Sequence, residues 1–335
     1  MHTELPNAVQ LAQQVFSVNE HHQFEQLALN IFNFQYRNNP VYRSYCDVLK
    51  IDATAVNSLL QIPFLPISFF KSHNVYCETN SIKSITFESS GTTGMQPSRH
   101  FVADVGLYEQ SFRRTFNEFY GPAQDYCVIG LLPSYLERQH SSLVYMVNDL
   151  IKGSGHPQSG FYLYDFERLA TTLTALETGQ QKTILFGVTY ALLDFAEQYP
   201  IPLRYTTIIE TGGMKGRKQE LLREEVHGVL KKSFSTPVIH SEYGMTELLS
   251  QAYAQANGLF QAASWMRVLL RAEDDPFSIT QNPGTGGINV IDLANLYSCA
   301  FIATEDVGRL HIDGHFEVLG RFDHAEVRGC SLLVV

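Results

Sequence analysis

Several features that mark whole classes of protein are missing from this sequence. Its 335 residues contain no run of lysine or arginine, and the formal net charge is −10, which argues against a nucleic-acid surface. No apolar stretch approaches the length of a membrane span, and the N-terminal residues MHTELPNAVQ lack a signal-peptide pattern. The sequence therefore predicts a cytoplasmic protein with no membrane span and no nucleic-acid partner.

Cysteine pairs and two familiar catalytic loops are missing as well. The cysteines are scattered, odd in number and never spaced as CxxC, which argues against a disulfide framework or a zinc site. Gly94 is followed by Met95-Gln96-Pro97, so the Lys and hydroxyl that end a Walker loop are lacking, and no GxSxG elbow occurs. The cysteines, expected to be reduced, are Cys46, Cys77, Cys127, Cys299 and Cys330.

What is present is a regular alternation of apolar strands and helical stretches. Ala8 to about Leu60 is predicted to be helical, and alternation begins at Ser84. This order predicts an α/β fold with a mostly parallel sheet flanked by helices, and short strands after Gly258 predict a small β-rich subdomain. The predicted strands are Tyr126–Leu132, Phe161–Tyr164, Thr183–Val188, Thr206–Ile209 and Val238–His240. The predicted helices are Val105–Phe119, Ser142–Ile151, Glu167–Leu176, Ala191–Gln198 and Lys218–Lys232.

A loop rich in glycine and hydroxyl groups follows the strand predicted at Ser84 to Phe87. It reads Glu88-Ser89-Ser90-Gly91-Thr92-Thr93-Gly94. Glycine lets the backbone approach an anion closely, so successive N–H groups can converge on an oligophosphate. Taken alone, the loop is equally compatible with a plain surface turn.

Three more segments carry candidate site residues. The segment Ser241-Glu242-Tyr243-Gly244-Met245-Thr246-Glu247 offers a carboxylate at Glu247 that suits Mg²⁺, although a core tyrosine and a solvated acid are the alternative interpretation. Gly212-Gly213 follows a predicted strand, and a turn with no ligand is its alternative. The last candidates are Asp306 and the segment Gly320-Arg321-Phe322-Asp323. The alternative to a functional role is an exposed hairpin acid for Asp306 and a surface arginine for Arg321. Both the glycine loop and the segment at 241–247 are expected beyond the carboxyl ends of parallel strands.

In this order, these segments resemble the adenylate-forming superfamily, whose members activate carboxylates with ATP, and within it the LuxE-type acyl-protein synthetases. The resemblance implies that Ser89, Ser90, Gly91, Thr92, Thr93 and Gly94 hold ATP phosphates. It implies that Gly212, Gly213, Tyr243, Gly244, Met245 and Thr246 surround adenine and the α-phosphate. Asp306 would accept hydrogen bonds from the ribose, Arg321 would contact ribose and phosphate, and Glu247 would bind Mg²⁺. Where many members have Pro-Lys, this chain has Pro97-Ser98-Arg99, which leaves open whether Arg99 or the loop hydroxyls replace the cation.

The end of the sequence departs from the superfamily pattern. In typical CoA ligases the Gly-Arg-x-Asp element leads into a second domain that carries a catalytic Lys, whereas twelve residues follow Asp323 here. We therefore expect the C-terminal domain to be absent. The resemblance implies that Cys330 is an acyl acceptor, and a cation such as Arg328 lowers a thiol pKa. The alternative is a buried cysteine beside the apolar run 332–335.

The predicted organisation is one adenylate-forming N-terminal-type domain over residues 1–320. It comprises a helical lead-in at 1–80, an α/β part at 81–255 and a β-rich subdomain at 256–320, followed by a tail at 321–335. The predicted function is activation of a carboxylic acid to acyl-AMP with ATP and Mg²⁺. The family resemblance implies that the acid is a fatty acid. Transfer to Cys330 and delivery to a reductase or acyltransferase partner would follow. Two alternatives stay open: a phenylacetate-type CoA ligase core that uses an external acceptor, and a non-catalytic nucleotide- or acyl-binding subunit.

Overall fold

The structure, a computed structural model, describes residues 7–78, 84–89, 96–132, 140–212 and 221–322. Its helices are α1 Ala8–Val15, α2 His21–Asn38, α3 Pro40–Val48, α4 Phe69–Ser72, α5 Val105–Tyr120, α6 Ser142–Ser154, α7 Phe166–Thr178, α8 Thr189–Gln198 and α9 Arg223–Phe234. Its strands are β1 Leu65–Pro66, β2 Ile85–Glu88, β3 Arg99–Val102, β4 Cys127–Leu131, β5 Gly160–Phe161, β6 Thr183–Val188, β7 Thr206–Thr211, β8 His240–Tyr243, β9 Ala252–Ala254, β10 Gln261–Ala262, β11 Met266–Arg271, β12 Ile279–Thr280, β13 Gly284–Asp292, β14 Phe301–Leu310 and β15 Phe316–Arg321.

The larger sheet is mostly parallel, as predicted. Its strand order is β10-β9-β8-β7-β6-β4-β5. The strands β5, β4, β6, β7 and β8 pair in parallel, and β9 and β10 add an antiparallel edge. Strands β4 and β6 are buried along their whole length because helices cover the sheet, which explains their continuous apolar sequence. The predicted α/β class is therefore confirmed.

The second sheet is larger than the sequence suggested. Its order is β1-β14-β13-β11-β12, and β15 pairs with β14. Strands β13 and β14 have nine and ten residues, so the prediction of only short strands was wrong. Gly286 lies in β13, where a Cβ would be 2.5 Å from the Arg271 carbonyl oxygen, so the close approach of the two strands requires glycine there.

The glycine loop begins on a hairpin of its own. Strands β2 and β3 pair only with each other, in antiparallel register from Ile85↔Val102 to Glu88↔Arg99. The prediction that this loop follows a strand of the parallel sheet was therefore wrong. Local apolar character identified the strand, but its partner lies beyond the loop, which no local pattern reveals.

Several other boundaries differ from the predicted ones, most of them by one to three residues, and two strands show the larger differences. The strand expected at Val238–His240 is His240–Tyr243, because pairing with β7 begins at Ile209↔His240. Tyr243 consequently ends a strand instead of lying in the loop beyond it. The strand expected at Phe161–Tyr164 is limited to Gly160–Phe161, and Lys218 of the expected last helix lies outside the described residues.

The N-terminal helices pack against the second sheet. The buried Gln35 amide donates to the carbonyls of Asn295 and Leu296 at 2.9 and 2.8 Å and accepts from the Ala300 N–H at 3.0 Å. The Tyr42 ring stacks on Phe301 with centroids 6.1 Å apart. Strand β1 also pairs in parallel with β14, so residues before 80 and after 300 share one sheet. The predicted division into segments stays a prediction.

No helix in the described ranges is long and apolar enough to span a membrane.

Candidate functional site

Three residues predicted from separate segments meet around one buried carboxylate. The Tyr243 hydroxyl donates to Asp306 Oδ2 at 2.8 Å, and Arg321 Nε donates to Oδ1 at 3.3 Å. Asp306 and Arg321 are register partners in the β14–β15 hairpin, while Tyr243 ends β8 of the other sheet. The Asp306 residue is 7% exposed, whereas the Arg321 side chain is 78% exposed. The three side chains therefore join the two sheets beneath a guanidinium that faces solvent.

Burial sets the protonation chemistry of this group. Desolvation raises the pKa of Asp306 above its ordinary value, although the Arg321 charge opposes the shift. Desolvation also raises the pKa of Tyr243 well above its ordinary value, so the hydroxyl remains a donor at neutral pH. The Tyr243 ring packs against Phe316 and Phe260, with centroids 5.4 and 5.9 Å away. Core packing, the alternative considered for Tyr243, thus accounts for part of its surroundings.

The segment after Tyr243 is held by two buried polar side chains. His100 Nδ1 lies 2.8 Å from the Thr246 carbonyl oxygen, and the Asn295 amide donates to the Glu247 carbonyl at 2.8 Å. His100 Nε2 lies 3.0 Å from Asn295 Oδ1, so the two residues also contact each other. Burial lowers the pKa of His100 to about 4, which keeps the imidazole neutral at pH 7. Strand β3, which ends the glycine-loop hairpin, is thereby tied to the Thr246–Glu247 turn.

Asp292 holds the continuation of the same segment. Its carboxylate accepts from the N–H groups of Leu249 and Ser250 at 2.7 and 2.9 Å and from the Ser250 hydroxyl at 2.5 Å. It also accepts from the Ala294 N–H at 3.2 Å. Asp292 is fully buried, so few other acceptors could replace it.

We call His100, Asp292 and Asn295 the clamp. None of its residues was predicted from the sequence. The available signal was two polar residues, Asp292 and Asn295, shortly after the mostly apolar stretch Ile288–Ile291, where polar groups often mark the end of a strand.

Glu247, predicted to bind Mg²⁺, is a buried acid beside the base of the glycine loop. It is 5% exposed, and burial raises its pKa although a Ser98 hydrogen bond and the Lys71 charge lower it. Ser98 closes the base of the loop, because its N–H donates to Ser89 Oγ at 2.8 Å and its carbonyl accepts from the Ser89 N–H at 3.0 Å. Arg99 turns away to Asn74 Oδ1, 3.4 Å distant.

The remaining predicted residues divide into described and undescribed ones. Gly212 follows β7 with φ of 71°, a left-handed conformation that suits glycine, and its carbonyl accepts from the Thr189 hydroxyl at 2.8 Å. Gly244 is exposed, and Met245 and Thr246 are half-buried. The residues outside the described ranges are Ser90, Gly91, Thr92, Thr93, Gly94, Gly213, Asp323 and Cys330. Within the described ranges, no cluster of three or more His, Cys, Asp or Glu side chains could hold a metal ion.

Comparison with known proteins bears on the family and on the fold. The model of the family described as "Acyl-protein synthetase, LuxE" matches residues 10–138. No curated protein matches the sequence. A 2-hydroxyisobutyryl-CoA ligase in complex with 2-HIB-AMP has a similar structure at 11% identity, with a TM-score of 0.64 over 96% of this chain and 73% of the ligase. ATP-bound MatB from Rhodopseudomonas palustris is similar at 14% identity, with a TM-score of 0.53 over 70% of this chain and 47% of MatB.

These comparisons confirm two predictions. The resemblance to LuxE acyl-protein synthetases is borne out by the family match, which also covers the N-terminal helices for which the sequence offered no motif. The fold is that of adenylate-forming enzymes, shown by the structural similarity. The chain spans about half of the MatB chain and 73% of the CoA ligase.

Proposed function

This chain resembles the LuxE acyl-protein synthetases and has the adenylate-forming fold, and from this premise we propose that it activates a carboxylic acid with ATP. The products of that step are acyl-AMP and pyrophosphate. The observation that carries the proposal is the meeting of Tyr243, Asp306 and Arg321, with Glu247 on the same segment. Contact between residues of three separate motifs is a stronger argument than any of the motifs alone.

The proposed nucleotide contacts follow from the geometry of that group. Asp306 has one hydrogen-bond partner on each oxygen in the described structure, and each carboxylate oxygen can accept two, so ribose hydroxyls can still be accepted. Arg321 is exposed beyond its Nε contact, which leaves its terminal nitrogens accessible to a phosphate. Adenine is proposed to lie near Tyr243 and Gly212, and the phosphates at Ser89 to Gly94.

Mg²⁺ is proposed to bind Glu247. This carboxylate is buried beside Ser98, and burial disfavours its ionised form, so a cation held by it would relieve that cost. The residues present therefore fit the ion. When bound, the ion would supply positive charge near the phosphates. The protein positions Glu247 through the clamp, which fixes the backbone on both sides of it.

The second proposed step is transfer of the acyl group to Cys330. The thiolate would attack the carbonyl carbon of acyl-AMP, a C–S bond would form, and the C–O bond to AMP would break as AMP leaves. The thiol proton passes to solvent when the thiolate forms, which a neighbouring cation such as Arg328 favours. The resemblance suggests a fatty acid as substrate and a reductase or acyltransferase as the partner that takes the acyl group from the thioester.

Intact-mass spectrometry tests this proposal. The protein is incubated with ATP, Mg²⁺ and a panel of carboxylic acids, and pyrophosphate release is measured in parallel. We expect one acyl adduct that hydroxylamine removes and that is missing in Cys330→Ala. Cys330→Ser is the matched control, since an oxyester would resist the same treatment.

The two remaining functions give different results. Pyrophosphate release without an adduct in wild type would favour an external acceptor such as coenzyme A. Neither adduct nor pyrophosphate release, with ATP still bound in calorimetry, would favour a nucleotide-binding subunit and would contradict the proposed reaction.

A further inference from the structure

A second group of polar side chains lies on the other face of β8. Successive side chains of a strand point to opposite faces, so Glu242 faces away from Tyr243 and Asp306. Thr211, Glu242 and Tyr253 are register partners across β7, β8 and β9, and register partners share a face of the sheet. The Thr211 hydroxyl donates to Glu242 Oε2. These residues therefore form one polar row inside an otherwise apolar layer.

Gln251 completes this group. A Cβ at Gly244 would collide with Glu242 Oε1 and would lie 3.5 Å from Gln251 Cγ, so both side chains converge beside the Gly244 backbone. The charge of Glu242 also contributes to the raised pKa of Tyr253, as expected of close neighbours. We call Thr211, Glu242, Gln251 and Tyr253 the polar row.

Two atoms of the polar row are buried without a hydrogen-bond partner. Gln251 is 4% exposed and Tyr253 is 1% exposed, yet Gln251 Oε1 and the Tyr253 hydroxyl have no partner among the described residues. Buried polar atoms in native proteins are almost always paired, because an unpaired one loses its bonds to water and gains nothing in return. Two such atoms next to a buried carboxyl group indicate that a further polar group belongs here.

The position of the polar row connects it with the proposed active site. Thr211 and Glu242 lie at the carboxyl ends of neighbouring parallel strands, which is where ligands bind in sheets of this kind. Gly212 and Gly244 follow these strands, and Gly244 is exposed, so the polar row adjoins the open backbone between Tyr243 and Glu247. Under the proposed function, the polar row is therefore next to the backbone beside which a carboxylate would be activated.

We propose that the polar row recognises a hydrogen-bond-donating group, a hydroxyl or an ammonium, on the carboxylic acid substrate. The unpaired oxygen of Gln251 is an acceptor, and the Glu242 carboxyl group has acceptor capacity in either protonation state, so a donor is the complementary group. The inference rests on the proposed function, and it narrows the substrate from a plain fatty acid to one with a polar substituent. A purely alkyl chain would leave the same buried atoms unpaired, which is how such sites reject the wrong substrate.

Direct binding of matched acids tests this inference. Ligand-observed NMR compares alkyl acids with hydroxy- and amino-substituted acids of the same length, so that the two donors are distinguished. Wild type should bind at least one donor-bearing series tenfold or more tightly than the alkyl acids. Glu242→Leu should abolish that preference, and Glu242→Gln, which keeps shape and polarity, should reduce it if the leucine variant does not fold. Glu118→Gln, at an exposed acid on α5, is the control and should leave the preference unchanged.

Three results would overturn the inference: equal binding of alkyl and donor-bearing acids, a preference that survives in both Glu242 variants, or no binding of any acid. Pyrophosphate release is measured separately. Its loss alongside an intact, Glu242-dependent preference would contradict the proposed reaction and leave the recognition site standing.

Discussion

Replacing Asp292 with alanine should destabilise the protein more than most single substitutions do. The substitution removes the acceptor of four donors, of which the three with the shorter contacts, on Leu249 and Ser250, are counted here because they lie in a fully buried place. Each of these three unpaired donors costs about 1.5 kcal/mol of the free energy of unfolding. About 1 kcal/mol is regained because a buried carboxylate no longer has to be desolvated, so the net loss is about 3–4 kcal/mol. That is a large part of the ~5–15 kcal/mol by which a typical domain is stable.

Urea unfolding followed by circular dichroism at pH 7 measures this loss directly. Asp125→Ala is the matched control, because Asp125 is exposed and its replacement should change the free energy of unfolding by less than about 0.5 kcal/mol. Because the clamp also fixes the backbone around Glu247, the ATP affinity of the folded Asp292→Ala protein should fall. A loss of stability below about 1 kcal/mol would refute the reasoning, since it would mean that the donors find other partners.

Three further predictions concern other parts of the site. Burial raises the pKa of Glu242 to about 7, so the folded protein keeps a proton that the unfolded chain loses near pH 4.5. Wild type should therefore lose stability as the pH rises from about 4.5 to about 7. Relative to wild type, Glu242→Gln should gain roughly 2–3 kcal/mol in urea unfolding between pH 5 and 7, whereas a constant difference would contradict the assignment. Gly308→Ala should lower the free energy of unfolding by about 1–3 kcal/mol, because its Cβ would lie 2.6 Å from the Glu317 carbonyl oxygen. Gly320→Ala in the same hairpin has open space around its Cβ and should be nearly neutral, so equal effects of the two substitutions would argue against this close approach. His100→Phe should weaken ATP binding in calorimetry at least fivefold, because it releases the Thr246 carbonyl. The control is His73→Phe, at an exposed site, and equal ATP affinities of the two variants would show that the clamp does not position the Thr246–Glu247 turn.

Local sequence patterns predicted the elements whose environment is uniform. Strand β6 was predicted to the residue, because Thr183–Val188 is apolar throughout and buried on both faces. Helix α5 was predicted within one residue, since its apolar positions repeat at helical spacing and Asp104 caps its first turn. Strand β8 was placed too early because Val238 and Ile239 look like a strand, whereas the pairing with β7 that defines it is a non-local property.

The same distinction applies to the candidate site. Tyr243, Asp306 and Arg321 were chosen from motifs, and the structure brings them together. The clamp was missed because its bonds join His100 to Thr246 and Asn295, 146 and 195 positions away along the chain. A single buried histidine carries no local signal, and its role is apparent only once both partners have been brought to it. The polar row was missed for the same reason: the strand pairing of Tyr253 with Glu242, and the approach of Gln251 to Glu242 beside Gly244, are not visible in the sequence.

The packing of the N-terminal helices on the second sheet has a consequence for how the chain acquires its structure. Gln35 forms hydrogen bonds with residues 260 to 265 positions further along the chain, and β1 cannot pair until β14 has been synthesised. At the usual rate of synthesis, the apolar faces of α2 and α3 would be uncovered for on the order of 10 to 50 s before residue 300 exists. Helices form in about a microsecond, so closure of this one long loop, and not local structure, should limit the rate of folding. During that interval those faces are exposed apolar surface of the kind that is prone to aggregation.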